Sequence, residues 1–381
     1  MKDKITQSFT KLFGSNPVLA FAPGRINLIG EHTDYQEGLV FPAAIEQGIW
    51  VAIQNNNLST CRIYSEDYSE EFGFDINSFS PKRGHWANYT MGMASQFQQA
   101  GYKLEGFDMA FGGNIPASGL SSSAALSVAI GTALAALFKL EISRKSIVLY
   151  AQKSEHLFAG VKCGIMDPYA SAFGKENHAL ILDCRTNKHQ EVAVDFGAHS
   201  LLLVNSIVKH NLADSAYNKR RESCEESVRI LQSLYPNATT LRDIPVEEIK
   251  KVQQALPADL FPKAKHVITE IERVKLASAA LHTGDINAFG NLLKESHNSL
   301  SKDFEVSCVE LDFLAEKSWS LPGVIGSRMM GGGFGGCTIN LISNTHLDSF
   351  QTEMHFAYKE KFGIEADFIP VSLSEGARIL G

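Results

Sequence analysis

Four side chains that can bind a sugar and a phosphate group lie close together near the start of the chain. Arg25, Glu31, His32 and Asp34 fall within ten positions. Carboxylates and an imidazole can hydrogen-bond several hydroxyl groups of a polyol, and an arginine can neutralise charge that develops on a phosphoryl group. Any one of them alone would also fit a charged surface turn. Their density favours recognition of a polyol beside phosphate chemistry.

A second segment, residues 113–124, has the composition of a phosphate-binding loop. Glycines and the serines at 121–123 join a predicted strand to an apolar predicted helix. The N–H groups and the positive dipole end of such a helix attract anions, and serine hydroxyls can bond phosphate oxygens or a magnesium ion. It is not a Walker loop, because no Gly-Lys-Ser/Thr follows the required spacer. A serine N-cap on a buried helix is the alternative interpretation.

Two further segments could belong to a ligand site, although each has a simpler alternative. Residues 331–336 hold five glycines around Phe334 between two predicted strands, a context that excludes a dinucleotide-binding fingerprint. So many glycines favour a backbone that lies against a ligand, and the alternative is a flexible hairpin. Asp167 stands before a proline, where it is either a helix N-cap or a catalytic base.

The elements that must position these residues are predicted from hydrophobic periodicity. Strands and helices do not alternate strictly, which favours an α+β fold over a doubly wound parallel sheet. The predicted strands are 49–53, 107–112, 178–184, 191–196, 201–205, 324–329, 337–342 and 367–371, and the predicted helices are 86–100, 122–138, 214–234, 262–282, 285–299 and 346–362.

Length and composition predict a two-domain globular protein. The 381 residues exceed the usual size of one hydrophobic core, so we expect two domains, 1–196 and 197–381, with a ligand cleft between them. The net charge of −7 comes from interspersed residues, which argues against a nucleic-acid surface. The longest apolar run, 124–138, is shorter than the roughly 18 to 20 residues of a membrane span.

The N-terminal segment and the cysteines bear on location and metal content. Residues 1–14 are interpreted as an amphipathic turn without the continuous apolar region of a secretory signal. We therefore expect a cytoplasmic protein that binds no membrane. The six cysteines are widely scattered, with no Cys-x-x-Cys pair and no nearby paired histidines. Zinc ligation thus has little support, and reduced thiols are expected.

Taken together, three segments resemble the signatures of the GHMP kinases, and the resemblance to the galactokinase family within them is closer still. Residues 23–35 resemble the galactokinase signature, 113–125 the phosphate loop and 331–337 the glycine-rich third motif. Their order and spacing also agree. Further segments extend the resemblance over nearly the whole chain, and these are 163–167, 178–185, 215–221 with Cys224, and 301–305.

The resemblance implies an activity and a fold. The activity is ATP-dependent phosphorylation of α-D-galactose at the C1 hydroxyl, giving galactose 1-phosphate and ADP in galactose catabolism, with Mg²⁺ as the metal. The fold is a two-domain GHMP kinase, with an N-terminal domain like ribosomal protein S5 domain 2 and a ferredoxin-like C-terminal domain, and the active site in the cleft between them. We expect galactose and ATP as the partners of a monomer, and no nucleic acid.

The resemblance also implies roles for individual residues. Asp167 matches the group that accepts the C1 hydroxyl proton, and Arg25 matches the group that stabilises the transferred phosphoryl. Ser122, Ser123 and Glu155 match positions that face phosphates and the metal. The implied sugar-binding residues are Glu31, His32, Asp34, Gly164 and Tyr217, and the implied ATP-binding residues are Pro116, Ala117, Ser118, Gly119, Leu120, Ser121, Ser122, Ser123 and Ala124.

Two departures from the family pattern and two rival functions accompany these expectations. Only Ala117 and Ser118 separate Pro116 from Gly119, which is one residue fewer than usual. Pro168 follows Asp167 where a glutamine is expected, although proline is tolerated in a first helical turn. A kinase for a related sugar such as N-acetylgalactosamine would carry the same motifs. A non-catalytic galactose and ATP sensor is the rival from another class.

Overall fold

The structure is a computed structural model that describes residues 1–14, 16–116, 119–209 and 213–380. Helices and strands are mixed without strict alternation, so the predicted α+β class is confirmed. No helix in the described ranges is long and apolar enough to cross a membrane. The strands are β1 (Val18–Asn27), β2 (Leu39–Val40), β3 (Pro42–Asn55), β4 (Thr60–Ser65), β5 (Glu70–Asp75), β6 (Phe107–Gly113), β7 (His178–Asp183), β8 (Lys188–Ala193), β9 (His199–Lys209), β10 (Val324–Met329), β11 (Gly335–Ser343), β12 (Asp367–Pro370) and β13 (Arg378–Leu380).

A six-stranded sheet in the order β13-β1-β3-β6-β4-β5 organises the N-terminal part of the chain. One face is covered by an apolar helix layer whose long central member presents small residues such as Ala125 and Ala129 to the sheet. The helices of the chain are α1 (Lys2–Phe13), α2 (Asn88–Gln99), α3 (Ser122–Leu137), α4 (Arg144–Ser154), α5 (Met166–Phe173), α6 (Ala213–Leu231), α7 (Ile249–Ala255), α8 (Phe261–Thr283), α9 (Ile286–Lys302), α10 (Val309–Ser320) and α11 (Leu347–Phe362).

The opposite face of this sheet is covered by α1, which corrects the predicted N-terminal turn. Ile5 and Phe9 are four positions apart, so they lie on one side of a helix. Both are fully buried against Ala52 of β3 and Ala110 of β6. Only one side of this segment is apolar, and the sheet surface that stabilises it as a helix is not visible from the segment itself.

A four-stranded sheet in the order β10-β11-β9-β12 organises the C-terminal part. The apolar run 201–204 of β9 is buried on both faces, as expected for a central strand between two helix layers. Leu201 and Leu203 pack with residues of α8 and α9, while Leu202 and Val204 pack with residues of α10 and α11. The continuous hydrophobic pattern therefore reflects a strand with no solvent-facing side.

The chain crosses between its N-terminal and C-terminal parts twice. The first crossing leaves a small third sheet, ordered β2-β7-β8, after Ala193 and enters β9 of the four-stranded sheet at His199. It returns after β12, because β13 pairs antiparallel with β1 at the edge of the six-stranded sheet, with Ile379 opposite Ala20. Backbone hydrogen bonds from Ser374 to Ala44 and from Ala377 to Ser171 fasten the returning segment. The predicted boundary near residue 196 stays a prediction.

Candidate functional site

Arg25 and Asp167 form a bidentate ion pair on the floor of a cleft. Arg25 lies on β1, next to a register shift between β1 and β3, and its backbone N–H donates to Leu120. Its Nε donates to Asp167 Oδ1 at 2.8 Å and its Nη2 to Asp167 Oδ2 at 2.9 Å. Arg25 is 4% exposed, whereas the Asp167 side chain remains 30% exposed to the cleft. The pair thus presents a fixed carboxylate to a ligand.

Asp167 lies in the first turn of α5 and not at its cap. The N-cap position belongs to Ile165, and Pro168 falls within the first turn, where its missing N–H has no intrahelical partner to lose. The departure at Pro168 is therefore compatible with the helix that carries Asp167.

Glu31 is held by the glycine-rich turn and by a buried arginine. Its Oε1 accepts from the backbone N–H of Gly331 at 2.8 Å and from Arg328 Nη2 at 3.2 Å. Arg328 is fully buried and also donates to the carbonyls of Asn27, Leu28 and Met329. The predicted sugar segment and the predicted third motif are therefore joined through one carboxylate, about 300 positions apart in the chain.

Helix α8 holds the backbone of the same loop from the other side. Glu270 accepts from the Gly30 N–H at 3.0 Å, and His266 Nε2 donates to the Glu31 carbonyl at 3.1 Å. The two residues are four positions apart and so lie on one face of the helix. Burial alone would raise the pKa of Glu270, but Arg273 and the hydrogen bond from Ser296 lower it to about 2. The loop is anchored by an ionised carboxylate.

His32 is a neutral imidazole with a defined tautomer. It adopts a left-handed backbone conformation with φ of 61°. Its Nε2 lies 3.2 Å from the Gly332 carbonyl, which can only accept, so Nε2 carries the proton and Nδ1 accepts from the Tyr35 hydroxyl at 3.0 Å. Burial, aided by His266, lowers the pKa of His32 to about 3. Tyr217 of α6 lies against it with ring centroids 5.2 Å apart.

Asp34 lies directly over Gly164. Its Oδ1 accepts from the Tyr35 N–H at 2.9 Å and its Oδ2 from the Met166 N–H at 3.4 Å. Burial and then the charge of Asp167 raise the pKa of Asp34 to about 6. A Cβ atom at Gly164 would lie 1.8 Å from Asp34 Oδ2 and 2.0 Å from its Cγ. Gly164 therefore leaves the space that the Asp34 carboxylate occupies.

Replacing Gly164 with Ala is expected to displace the Asp34 carboxylate, because the new methyl group would overlap it. Since Asp34 faces the ligand cleft, we expect the KM for galactose, the sugar that the sequence resemblance implies, to rise about tenfold or more. Steady-state kinetics against galactose and ATP measures this. Gly73→Ala is the matched control, because its Cβ meets nothing closer than 3.7 Å. An unchanged galactose KM in Gly164→Ala would contradict the steric role.

The predicted catalytic and sugar-binding residues line a single cleft. All seven of them contribute to its wall, although they come from β1, the loop that follows it, the segment before α5, the first turn of α5, and α6. Four further residues line this cleft. Gly331 and Gly332 belong to the glycine-rich segment that is predicted to lie against a ligand, whereas Cys163 and Met166 were given no site role, although they flank Gly164.

The serine loop, residues 113–124, contains both solvent-accessible residues and residues buried in the core. Ser122 is exposed and Ser123 half-buried, and Ser123 hydrogen-bonds Glu155. Leu120 and Ala124 are buried in the core, so only their backbone can reach a ligand. Gly119, with φ of 80°, accepts from Arg25 Nη1 at 2.7 Å. Pro116 lies in the described part of this loop, whereas Ala117 and Ser118 lie outside the described residues.

Glu155 begins a π-helical turn that continues α4 from Glu155 to Ala159. Such turns are rare and frequently occur at functional sites. Burial raises the pKa of Glu155 to about 7, against the lowering effect of the Ser123 hydroxyl. Within the described residues, no group of three or more His, Cys, Asp or Glu side chains converges on a metal position.

A second cleft of about 430 Å³ adjoins Ser123 and Glu155. Half of its other lining residues carry aromatic or imidazole rings, and Tyr68 and Trp86 are nearly parallel, with an interplanar angle of 11°. None of these ring-bearing residues belongs to a motif singled out in the sequence. The signal that could have found three of them is the concentration of rings at the start of α2, where His85, Trp86 and Tyr89 lie, whereas Tyr68 lies in the turn between β4 and β5.

Family signatures match most of the chain. Residues 7–55 match the galactokinase galactose-binding signature, residues 88–175 the GHMP kinases N-terminal domain, and residues 277–360 the GHMP kinases C-terminal domain. These ranges contain the sugar segment, the serine loop with Asp167, and the glycine-rich turn.

Whole-chain comparisons agree with the signatures. The Lactococcus lactis galactokinase crystallised with galactose superposes with a TM-score of 0.96, 35% identity and 99% coverage of both chains. The Methanococcus jannaschii mevalonate kinase shares the fold, with a TM-score of 0.65, 17% identity, and coverage of 95% of this chain and 99% of that one. The Bacillus subtilis galactokinase is 39% identical over 100% of this chain and 99% of its own. Since the Fusobacterium nucleatum galactokinase is also 40% identical over 99% of both chains, this chain belongs to the galactokinase family of the GHMP kinases.

Proposed function

We propose that the chain transfers the γ-phosphoryl group of ATP to the C1 hydroxyl of α-D-galactose, giving galactose 1-phosphate and ADP. The observation that carries the proposal is the bidentate pair of Arg25 and Asp167 in a cleft walled by Glu31, His32 and Asp34. A carboxylate fixed beside several hydroxyl-binding groups suits a sugar hydroxyl that must be oriented and deprotonated.

Arg25 and Asp167 have complementary roles in this proposal. Phosphoryl transfer passes through a loose transition state, so positioning and charge neutralisation supply most of the catalysis. Asp167 orients the C1 hydroxyl and accepts its proton. Arg25 fixes the carboxylate through two hydrogen bonds and stabilises negative charge on the phosphoryl oxygens.

The start of α3 is proposed to bind the ATP phosphates with Mg²⁺. Ser122 and Ser123 stand in its first turn, where N–H groups and the helix dipole favour anions. Mg²⁺ bound through phosphates needs only one or two protein oxygens and retains several waters, which fits the Glu155 carboxylate beside the Ser123 hydroxyl. When bound, the ion neutralises phosphate charge. A monomeric state and a cytoplasmic location stay predictions.

The second cleft, which Tyr68 and Trp86 line, is proposed to hold the nucleotide base. Stacking on aromatic faces suits a purine, and the cleft opens beside Ser123. Trp86→Ala is expected to raise the ATP KM about tenfold, since one stacked base is worth about 1 to 3 kcal/mol. The galactose KM should stay within about twofold. Trp86→Phe, which keeps a ring, is expected to lose less. Equal effects on both substrates would contradict this assignment.

A sugar panel with coupled ADP detection tests the proposed activity. Purified protein with Mg-ATP should release ADP with galactose faster than with N-acetylgalactosamine or other hexoses. A higher kcat/KM for N-acetylgalactosamine than for galactose would identify N-acetylgalactosamine as the substrate instead. Galactose binding without ADP release from any hexose would support the sensor function instead.

A further inference from the structure

Ser121 contacts the carboxylate of Asp167. Its position within the serine loop predicts a phosphate contact, yet its hydroxyl donates a hydrogen bond to Asp167 Oδ2. The residue has φ of 59° and ψ of 49°, a left-handed conformation that is uncommon for a residue with a Cβ atom. The surrounding structure must therefore hold it there, and such constraint is frequent at functional positions.

The left-handed conformation also removes Ser121 from its ordinary structural role. It is the N-cap residue of α3, and a serine there normally accepts from an N–H group of the first helical turn. Among the described residues, the Ser121 side chain makes no such capping bond. Its hydroxyl therefore adds nothing to the helix through capping, and its specific contact is with Asp167.

Among the residues that the structure describes, the donors around Asp167 leave one acceptor position open. An ionised carboxylate has about four lone-pair positions. Among the described residues, Arg25 Nε occupies one on Oδ1, while Arg25 Nη2 and the Ser121 hydroxyl occupy both on Oδ2. The remaining position is on Oδ1. A sugar hydroxyl thus meets a carboxylate that can accept through one defined oxygen.

A ring of hydrogen bonds connects this arrangement to the phosphate loop. Arg25 donates from its backbone to Leu120 and from Nη1 to Gly119, the two residues that precede Ser121. Asp167 closes the ring by accepting from both Arg25 and Ser121. The loop conformation and the orientation of the carboxylate are consequently fixed together.

We propose that Ser121 is a positioning residue for phosphoryl transfer that acts through Asp167, and not a phosphate ligand. The inference rests on the proposed function, because the oriented hydroxyl is that of the sugar. Without the Ser121 hydroxyl, Oδ2 regains a free lone pair and the carboxylate has two ways to meet the substrate. We expect Ser121→Ala to lower kcat about 10- to 50-fold, with both KM values within about twofold.

Two companion variants separate the hydroxyl from the backbone. Ser121→Gly also lacks the hydroxyl but relaxes the left-handed backbone. Equal losses of kcat in the Ala and Gly variants support the proposal, and full activity in Ser121→Gly contradicts it. Ser121→Asn tolerates the left-handed conformation and can donate from its amide, so it should recover part of the loss. A Tm within about 3 °C of wild type verifies folding of each variant.

A double-mutant cycle with Asp167→Asn decides whether Ser121 acts through the carboxylate. If it does, Ser121→Ala should change kcat less than about twofold in the Asp167→Asn background. If the fold-losses of kcat in the two single variants multiplied in the double variant, and the ATP KM of Ser121→Ala rose, the proposal would be overturned in favour of a phosphate contact. An assay of the wild-type enzyme with galactose tests the proposed function separately. If the wild-type enzyme did not phosphorylate galactose, the proposed function would be wrong whatever the Ser121 variants did.

Discussion

Asp167→Asn is expected to lower kcat by about 10²- to 10⁴-fold while the galactose KM changes less than about threefold. An amide cannot accept the hydroxyl proton. It also places an N–H donor where Arg25 and Ser121 now donate, so the orientation of the side chain is lost. Steady-state kinetics with saturating Mg-ATP measures both constants.

The matched control is a second bidentate pair outside the cleft. Arg62 binds Asp108 through the same atoms, with Nε to Oδ1 at 2.7 Å and Nη2 to Oδ2 at 2.6 Å. Asp108→Asn removes an ion pair of equal geometry and should leave kcat unchanged within about twofold. If Asp167→Asn retained wild-type turnover, Asp167 would have no part in proton transfer or orientation.

Arg328→Met is expected to reduce the free energy of unfolding by about 3 to 5 kcal/mol, because it leaves a buried carboxylate without its cation. Arg328 is fully buried and bonds three backbone carbonyls as well as Glu31, which is itself 2% exposed. The denaturation midpoint, followed by tryptophan fluorescence, measures the loss. The galactose KM should also rise, since Glu31 loses one of its two anchors.

Two further variants identify the cause of that loss. Arg229 forms an exposed pair with Glu226, and Arg229→Met should change stability by less than about 1 kcal/mol. Adding Glu31→Gln to Arg328→Met removes the unpaired charge and should restore part of the stability. No recovery in the double variant would indicate that the lost carbonyl contacts, and not the carboxylate, dominate.

Local hydrophobic patterns were sufficient to predict elements that are buried in the same way along their whole length. The apolar run of β9 and the periodic helices α8 and α9 were predicted within a few residues of their observed bounds. Elements that depend on a distant surface were missed or mistaken, as with α1, the hairpin of β4 and β5, and the strand β1 that carries Arg25. The residues of α1 and of the hairpin are polar or short-patterned, and the apolar run of β1 is interrupted by Pro23, Gly24 and Arg25. Their conformation is therefore decided by the strands against which they lie.

The candidate site shows the same division. The seven residues carried over from the family pattern meet in one cleft. They could be predicted because each belongs to a motif that is compact in sequence. The residues that hold them in place belong to no such motif. Glu270, His266 and Arg328 contact the sugar loop from more than 200 positions away, and nothing in their own neighbourhood marks them. Whether a charged residue is buried depends on the folded chain, so the local sequence around it does not predict it.

The return of the chain from β12 to β13 sets the order in which the N-terminal sheet can be assembled. Five strands of that sheet, β1 and β3 to β6, lie within residues 18–113, whereas β13 at its edge is formed by residues 378–380. Because a chain is synthesised from its N-terminus, β1 lacks its β13 partner until the C-terminal sheet has been made. The sheet that carries Arg25 therefore gains its last strand only after residues 199–370 have been synthesised.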